Sequence, residues 1–257
     1  MRNFPITFLF IISETREVEV VRKNLKNLQS QQGMQYWDAV FVVDESKGKG
    51  VFDMVKDLTE TVDFTEGYPI LKVRFENDFG KFKTEIIKQI KEEGLFQPYL
   101  WICDGDEIIP TKVFPKLYQV MKDNHSVNDN EAIAFPRVNN VSWESETSAY
   151  QDREFVSDQF RLMKQDHENN PNVNRPFNLI DRGNHAYVQE LLYPDYQLRL
   201  FNTHTLEGFD GKVHEQPITK NHYRYAVNLG DIWHHKTLDE RILSNTLYHQ
   251  IIHGGEG

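Results

Sequence analysis

Short, uninterrupted apolar runs alternate with amphipathic segments through the first 104 residues of the chain. The run ITFLFII at 6–12 is typical of a strand buried on both faces, because a strand with one exposed face alternates apolar and polar residues. Three similar runs follow: DAVFVVD at 38–44, YPILKVRF at 68–75 and YLWICD at 99–104. Strands of this kind occur in parallel sheets with helices on both faces. The sequence therefore predicts an α/β fold with a Rossmann-like, mostly parallel sheet.

Each interval between these runs has the periodicity of one helix. In the segment at 17–29, Val18, Val21, Leu25 and Leu28 recur at helical spacing. The segments at 51–62 and 80–94 have the same pattern, and the last of them stops at a glycine. Four strands thus alternate with three helices, which predicts right-handed crossovers that place helices on both sides of the sheet.

The second half of the chain is less regular. The patterns predict a helix at 112–124, strands at 131–141 and 196–202, and a closing helix at 237–253. The stretch at about 142–192 is polar and rich in Asn, Asp and Arg, so we expect an insertion with helical pieces and a mobile loop. We interpret residues 1–257 as one domain in two halves, 1–110 and 111–257.

Composition limits the classes of partner. The chain has 257 residues, a formal charge of −10 and a pI of about 5.5, which disfavours a broad electrostatic grip on nucleic acid or on an anionic membrane. The single cysteine, Cys103, excludes an internal disulfide and a cysteine-rich zinc site. The first apolar run is too short to span a bilayer and lacks a small-residue cleavage site, so we expect a cytoplasmic protein without a transmembrane segment.

Acidic residues gather at the end of the fourth predicted strand, where Asp104, Asp106 and Glu107 follow YLWIC. Polar residues also follow the other predicted strands, at 13–16, 44–46 and 76–78. Because ligands of parallel sheets bind beyond the carboxyl ends of the strands, these residues are expected to line one site. Carboxylates there suit Mg²⁺ or Mn²⁺ bridging to a diphosphate. The alternative is a solvated acidic turn.

The segment LWICDGDEIIP resembles the DxD strand end of family 2 glycosyltransferases, which have the GT-A fold. More narrowly, it is similar to a bacterial and phage branch with the pattern W-hydrophobic-D-x-D-E. Other stretches match that branch in the same order: FENDFGKFKTEIIKQI, AFPRVNNV, DYQLRLFN, GKVHEQP and a late histidine in WHHKTLDER. The resemblance covers roughly residues 5–245 apart from the insertion. It implies a nucleotide-sugar-binding half at 1–110 and an acceptor-binding half at 111–257.

The resemblance implies transfer of a hexosyl or pentosyl group from a nucleotide-diphosphate sugar such as a UDP-sugar, with Mn²⁺ or Mg²⁺ and usually with inversion. Asp44 would contact the nucleotide base, and Asp104 would lie near the ribose or the metal. Asp106 would be the main metal ligand, while Arg199 would face the diphosphate or brace the acids. The chain departs from the family in its third helix, where Lys83 or Thr84 replaces the usual arginine or asparagine.

The segment GKVHEQP supplies a candidate base. Inverting transfer needs a group that accepts the proton of the acceptor hydroxyl, and Glu215 matches the position of the family's carboxylate base. The neighbouring His214 is a candidate third ligand for the metal or the phosphate. Of the paired histidines His234 and His235, the second better matches the family's late histidine and is expected to contact the donor.

Several alternatives stay open on sequence alone. The acceptor is a lipopolysaccharide core or another envelope glycan, or, in the phage-type alternative, a hydroxymethylated base in DNA. A phosphohydrolase with Asp104 as nucleophile is a second enzymatic hypothesis, although its motif belongs on a first strand. A third hypothesis is a nucleotide-sugar-binding module without catalysis. The sequence specifies neither the sugar nor the oligomeric state.

Overall fold

The apolar runs of the first half form strands close to their predicted bounds. The computed structural model describes residues 6–30, 37–61, 68–117, 132–144, 178–181, 185–220, 224–226, 229–237, 247–248 and 250–252. The first strands are β1 (Ile6–Ile12), β2 (Trp37–Asp44), β3 (Ile70–Val73) and β4 (Tyr99–Asp104). The intervening helices are α1 (Thr15–Gln29), α2 (Lys49–Thr61) and α3 (Phe79–Glu92).

These four strands are parallel and lie in the order β3-β2-β1-β4. The chain therefore crosses from the β2–β3 side back past β1 before it forms β4. Such a reversal of strand order leaves a crevice at the carboxyl ends of the two central strands. The predicted α/β fold with a Rossmann-like parallel arrangement is confirmed for this half of the chain.

Two apolar clusters cover the two faces of the sheet. On one face, α1 and α2 pack their buried stripes against alternate side chains of β1, β2 and β4, around Phe8, Phe41 and Trp101. On the other face, α3 buries Phe82, Ile86 and other residues against the remaining side chains of the same strands. The continuous apolar runs follow from this arrangement, because both faces of each strand are covered.

The second half extends the sheet with antiparallel pairing. Its strands are β5 (Glu107–Ile108), β6 (Ala132–Glu144), β7 (Asn178–Asp181), β8 (His185–Asn202), β11 (Arg224–Ala226) and β12 (Ile232–Thr237). Strand β8 runs antiparallel to β4 and to β6, and β12 runs parallel to β6 and antiparallel to β5. A separate hairpin consists of β9 (Leu206–Asp210) and β10 (Gln216–Thr219).

The predicted insertion differs from expectation where it is described. We expected helical pieces at about 142–192, but the described residues of this stretch belong to β6, β7 and β8. Paired strands form their backbone hydrogen bonds within the sheet whatever their side chains are, so a polar pair needs no apolar periodicity. The sequence pattern therefore gives little sign of it. Of the helix predicted at 237–253, residue 237 instead ends strand β12, and the other described residues, 247–248 and 250–252, are helical. None of the described helices is long and apolar enough to cross a membrane.

Candidate functional site

The acidic segment lies at the carboxyl end of β4 and continues into the short strand β5. Asp104 is the last residue of β4, and Glu107 opens β5 after a turn that contains Gly105 and Asp106. The two aspartates and the glutamate face different surroundings. The Asp104 side chain is 36% exposed, that of Asp106 is 13% exposed, and that of Glu107 is fully buried. Glu107 is therefore an interior residue, whereas both aspartates keep some solvent exposure.

Arg199 of β8 holds two of these acids together. Its Nε donates to Oε2 of Glu107 at 2.8 Å, and its Nη2 donates to Oε1 of Glu107 at 2.6 Å and to Oδ2 of Asp104 at 2.9 Å. Burial alone would lower the pKa of Arg199, but the carboxylates of Glu107 and Asp104 outweigh burial and raise it. A guanidinium suits this position because its planar fork binds a carboxylate through two parallel bonds. Arg199 was expected either to face the diphosphate or to brace the acids. Its contacts with Glu107 and Asp104 are those of a residue that braces the acids.

A second cation, Lys83 of α3, links the acidic segment to Glu215. The Lys83 Nζ lies 3.6 Å from Oδ1 of Asp104 and donates a hydrogen bond to Oε1 of Glu215. Burial alone would lower the pKa of Lys83, but Asp104 and Glu215 outweigh it and raise the pKa. For Asp104, burial acts to raise the pKa, while Lys83 and Arg199 hold it well below its usual range. Asp104 is thus a carboxylate with one cation at each oxygen.

Glu215 reaches this position because the β9–β10 hairpin docks on α3. Thr84 of α3 accepts a hydrogen bond from the backbone N–H of Phe209 at 2.8 Å and donates one to the Phe209 carbonyl at 2.9 Å. Near the start of α3, the N–H of Gly80 donates to the carbonyl of Gly211 at 3.1 Å. A Cβ at Gly80 would lie 2.8 Å from that same carbonyl oxygen. Gly80 therefore permits the approach of the hairpin turn that carries Glu215.

Asp106 pairs with a histidine of β12. The Oδ2 of Asp106 lies 3.1 Å from Nε2 of His234, and the two side chains are 13% and 11% exposed. His234 therefore lies beside the acidic segment. The side chain of His235, which we expected to contact the donor, lies outside the described part of the structure.

His214 lies in the hairpin turn and is exposed. Its backbone has a positive φ of 59°, and its ring contacts the ring of Tyr248 edge-on, with 6.0 Å between the centroids. Its assignment as a metal ligand stays a prediction.

Asp44, the predicted base contact, ends β2 and is buried. Its Oδ1 accepts hydrogen bonds from the N–H groups of Ser46 at 2.9 Å and Phe75 at 3.1 Å, and its Oδ2 accepts one from the Ser46 hydroxyl at 2.8 Å. These bonds join the carboxyl end of β2 to the segment that follows β3. Asp44 therefore shapes the crevice wall, and its contact with a base stays a prediction.

Glu17, near the start of α1, packs against the turn between the two aspartates. A Cβ at Gly105 would lie 2.6 Å from Oε2 of Glu17, so this position has room only for glycine. Oε2 accepts hydrogen bonds from the N–H groups of Ser13 at 2.7 Å and Glu14 at 3.1 Å. Burial, with the nearby charge of Asp106, raises the pKa of Glu17 to about 7 although these amides act in the opposite direction.

The same helix fixes β5 through a buried asparagine. Asn24 donates to the carbonyl of Glu107 at 2.7 Å and accepts from the N–H of Ile109 at 3.0 Å. Sequence reasoning missed Glu17, Asn24 and the contacts of Lys83. Their one signal in the sequence is a polar residue within an otherwise apolar helical stripe, and that pattern has many causes.

Within the described ranges, no three side chains of the types His, Cys, Asp and Glu are placed together to hold a metal ion. Asp106 and His234 place one carboxylate oxygen and one imidazole nitrogen 3.1 Å apart beside the turn that follows β4. Carboxylate oxygen and imidazole nitrogen are both ligands of Mn²⁺ and related divalent metals. A metal held by this pair needs further ligands from outside the described chain.

No protein-family model matches the chain, and no curated protein is significantly similar to it. Among solved structures, S. aureus TarS 1–349 in complex with UDP is 9% identical with a TM-score of 0.49, and the match covers 97% of this chain and 65% of that one. Glucosyl-3-phosphoglycerate synthase from Mycobacterium tuberculosis, in complex with Mn²⁺, UDP and glucosyl-3-phosphoglycerate, is 10% identical with a TM-score of 0.46. That match covers 96% of this chain and 77% of that one.

A third similar structure is the mannosyltransferase PcManGT from Pyrobaculum calidifontis in complex with GDP-Man and Mn²⁺. It is 13% identical with a TM-score of 0.40, and the match covers 52% of this chain. The chain spans 36% of the mannosyltransferase and 65% of the TarS chain.

Proposed function

We propose that this chain is a GT-A glycosyltransferase that moves a sugar from a nucleotide-diphosphate sugar to an acceptor hydroxyl, with inversion and with a divalent metal. The observation that carries the proposal is the meeting of Asp104 and Glu215 on Lys83 at the carboxyl end of β4, with Asp106 in the turn that follows Asp104. Asp104 and Asp106 come from β4 and the turn after it, and Glu215 comes from a hairpin more than 100 residues later in the chain. The ordered motifs in the sequence support the same conclusion.

The pair Asp106 and His234 would hold Mn²⁺ or Mg²⁺, and diphosphate oxygens and water would complete its coordination. When bound, the metal would neutralise the charge on the departing nucleoside diphosphate. Asp104 is less suited to be a direct ligand, because Lys83 and Arg199 lie at its two oxygens. We assign to Asp104 the role of orienting the turn that carries Asp106.

Glu215 is the candidate base. Its Oε1 is the oxygen that Lys83 contacts, and among the described residues no donor contacts Oε2. Oε2 is therefore the atom that would take the proton from the acceptor hydroxyl as the new glycosidic bond forms. The acceptor that the family resemblance implies is an envelope glycan or a lipopolysaccharide core, and a modified base in DNA is the alternative.

A thermal-shift screen of nucleotide sugars with and without Mn²⁺ tests this function. A ligand that binds only the folded chain raises the melting temperature, so the screen identifies the donor. We expect a shift that needs Mn²⁺ and that Asp106→Asn abolishes, while Asp53→Asn on the exposed face of α2 retains it. Binding that is equal without the metal, or that survives in Asp106→Asn, contradicts the proposed metal site.

The same screen separates binding from catalysis. Glu215→Gln keeps the shape of the side chain but removes its basicity. We expect this variant to bind the donor like the wild type and to lose turnover, measured as release of the nucleoside diphosphate. Normal turnover by Glu215→Gln excludes the base assignment, and binding without any turnover by the wild type favours the non-catalytic module.

A further inference from the structure

Lys83 occupies an unusual position for a lysine, because it is almost completely buried and lies between carboxylates from two distant parts of the chain. Asp104 belongs to the end of β4, and Glu215 belongs to the hairpin turn. The Nζ also lies 5.9 Å from the centre of the Phe209 ring on β9. The ammonium is therefore held from three sides by groups that belong to both halves of the site.

A buried ammonium is costly unless charged partners compensate it. The two carboxylates supply that compensation. A lysine that only stabilised α3 would not need to contact carboxylates from both β4 and the hairpin turn. A lysine in this place instead fixes the distance between Asp104 and Glu215.

We propose that Lys83 is a positioning residue. It holds the Glu215 carboxylate at a fixed position relative to the Asp104–Asp106 turn, so that the base and the bound donor face the same acceptor hydroxyl. This inference rests on the proposed function, since Glu215 has to be the base. The contact at Oε1 fixes the carboxylate and directs Oε2 as the reacting oxygen. Catalysis depends steeply on such alignment, because small displacements of a reacting group cost large factors in rate.

The geometry distinguishes this role from that of a donor ligand. A lysine that bound the donor diphosphate directly would be needed for donor affinity. A lysine that positions the base is needed for turnover at saturating donor and leaves donor affinity nearly unchanged. Substitution of a donor ligand is therefore expected to weaken donor binding, whereas substitution of a residue that positions the base is expected to lower the turnover rate.

The experiment compares Lys83→Met, Lys83→Arg and Glu215→Gln with the double variant Lys83→Met/Glu215→Gln. Lys88→Met on the exposed face of the same helix is the matched control. UDP and GDP, each with Mn²⁺, serve as binding probes. Release of the nucleoside diphosphate from UDP-glucose or GDP-mannose, with water as the acceptor of the sugar, measures turnover. Denaturant unfolding of the same variants measures the coupling between the two side chains without any substrate.

We expect Lys83→Met to lower the turnover rate by about tenfold or more while the probe affinity stays within about twofold of the wild type. Lys83→Arg is expected to recover most of the rate, because it keeps a cation in contact with Glu215. The double variant is expected to be no slower than Glu215→Gln alone, since both changes disable the same group. Unfolding midpoints are expected to be non-additive for the pair.

Three outcomes overturn the inference. The first is a loss of probe affinity in Lys83→Met with an unchanged rate at saturation, which makes Lys83 a donor ligand. The second is additive behaviour of Lys83 and Glu215 in unfolding, which means that the pair does not form. The third is a Lys83→Met rate equal to that of Lys88→Met in a wild-type chain that turns over. A wild-type chain that binds no nucleotide sugar in the donor screen with Mn²⁺ instead defeats the proposed function, and the inference falls with it.

Discussion

Gly105 shows how a single hydrogen in place of a methyl group supports the candidate site. A Cβ there would lie 2.6 Å from Oε2 and 2.8 Å from Cβ of Glu17, and Glu17 is held in place by two backbone N–H groups. Neither side can yield without moving α1 or the turn between the aspartates. Gly105→Ala should therefore lower the free energy of unfolding by about 1–3 kcal/mol, the usual cost of overpacking. Denaturant unfolding measures this loss.

Gly50→Ala is the matched control for that substitution. Gly50 lies in α2, and a Cβ there meets no atom within 4 Å. Alanine is favoured over glycine inside a helix, so this variant is expected to be neutral or slightly stabilising. Equal stabilities for the two alanine variants are incompatible with close packing between Glu17 and Gly105.

Glu17 also gives the stability of the protein a defined pH dependence. Its pKa is raised from 4.5 to about 7, mainly by burial, so between these values the folded chain keeps a proton that the unfolded chain has lost. The free energy of unfolding should therefore fall as pH rises from about 4.5 to 7, by roughly 3 kcal/mol from this group, and the contribution is constant above pH 7.

Glu17→Gln should flatten that slope, because glutamine has no proton to lose. Unfolding by denaturant at a series of pH values between about 4.5 and 8 measures the slope. Glu92→Gln, which changes an exposed glutamate near the end of α3, should keep the wild-type slope. Parallel curves for the wild type and Glu17→Gln would show that Glu17 is not protonated in the folded chain at mid-range pH.

At the scale of elements, the docking of the β9–β10 hairpin on α3 brings Glu215 to the acids of β4. The hydroxyl of Thr84 bonds to both backbone groups of Phe209, so it joins helix and hairpin directly. Thr84→Val keeps the shape and removes both bonds, leaving a part-buried N–H and a carbonyl without this partner. We expect a loss of about 1–3 kcal/mol in the free energy of unfolding.

Turnover should fall further in Thr84→Val than donor affinity, because the hairpin turn carries the base, while Asp106 and His234 lie outside it on the β4–β5 turn and β12. Thr84→Ser retains the hydroxyl and should stay close to the wild type in both properties. Donor affinity from thermal shifts and turnover from nucleoside diphosphate release provide the comparison. A valine variant with full turnover would mean that this dock does not position Glu215.

The elements of the first half were predictable because each one satisfies a local rule. Doubly buried strands need continuous apolar runs, and helices on the sheet need a stripe every three or four residues, so both patterns appear in the sequence. Strand β7 and the parts of β6 and β8 that lie within residues 142–192 follow no such pattern. Their pairing satisfies backbone groups irrespective of side-chain type, and their polar composition made a loop with helical pieces the expected structure.

At the scale of the whole molecule, the net charge of −10 favours an envelope glycan over DNA as the acceptor. Binding to duplex DNA depends mainly on cations that neutralise phosphates, and an acidic chain repels the duplex at long range. We expect no retention of hydroxymethylated duplex DNA in a gel-shift assay at physiological salt. Retention that decreases steeply with added salt would favour the DNA acceptor over an envelope glycan.

The sequence by itself determined the α/β class, the parallel first half and the acidic segment at the end of β4, because these depend on contacts between neighbours in the chain or on simple periodicity. Only the tertiary structure decided which distant partners each acid has. Lys83, Arg199, Glu215 and His234 come from four separate elements, and their meeting depends on sheet order and hairpin docking. Such contacts join residues roughly 90–130 positions apart, and no local pattern encodes them.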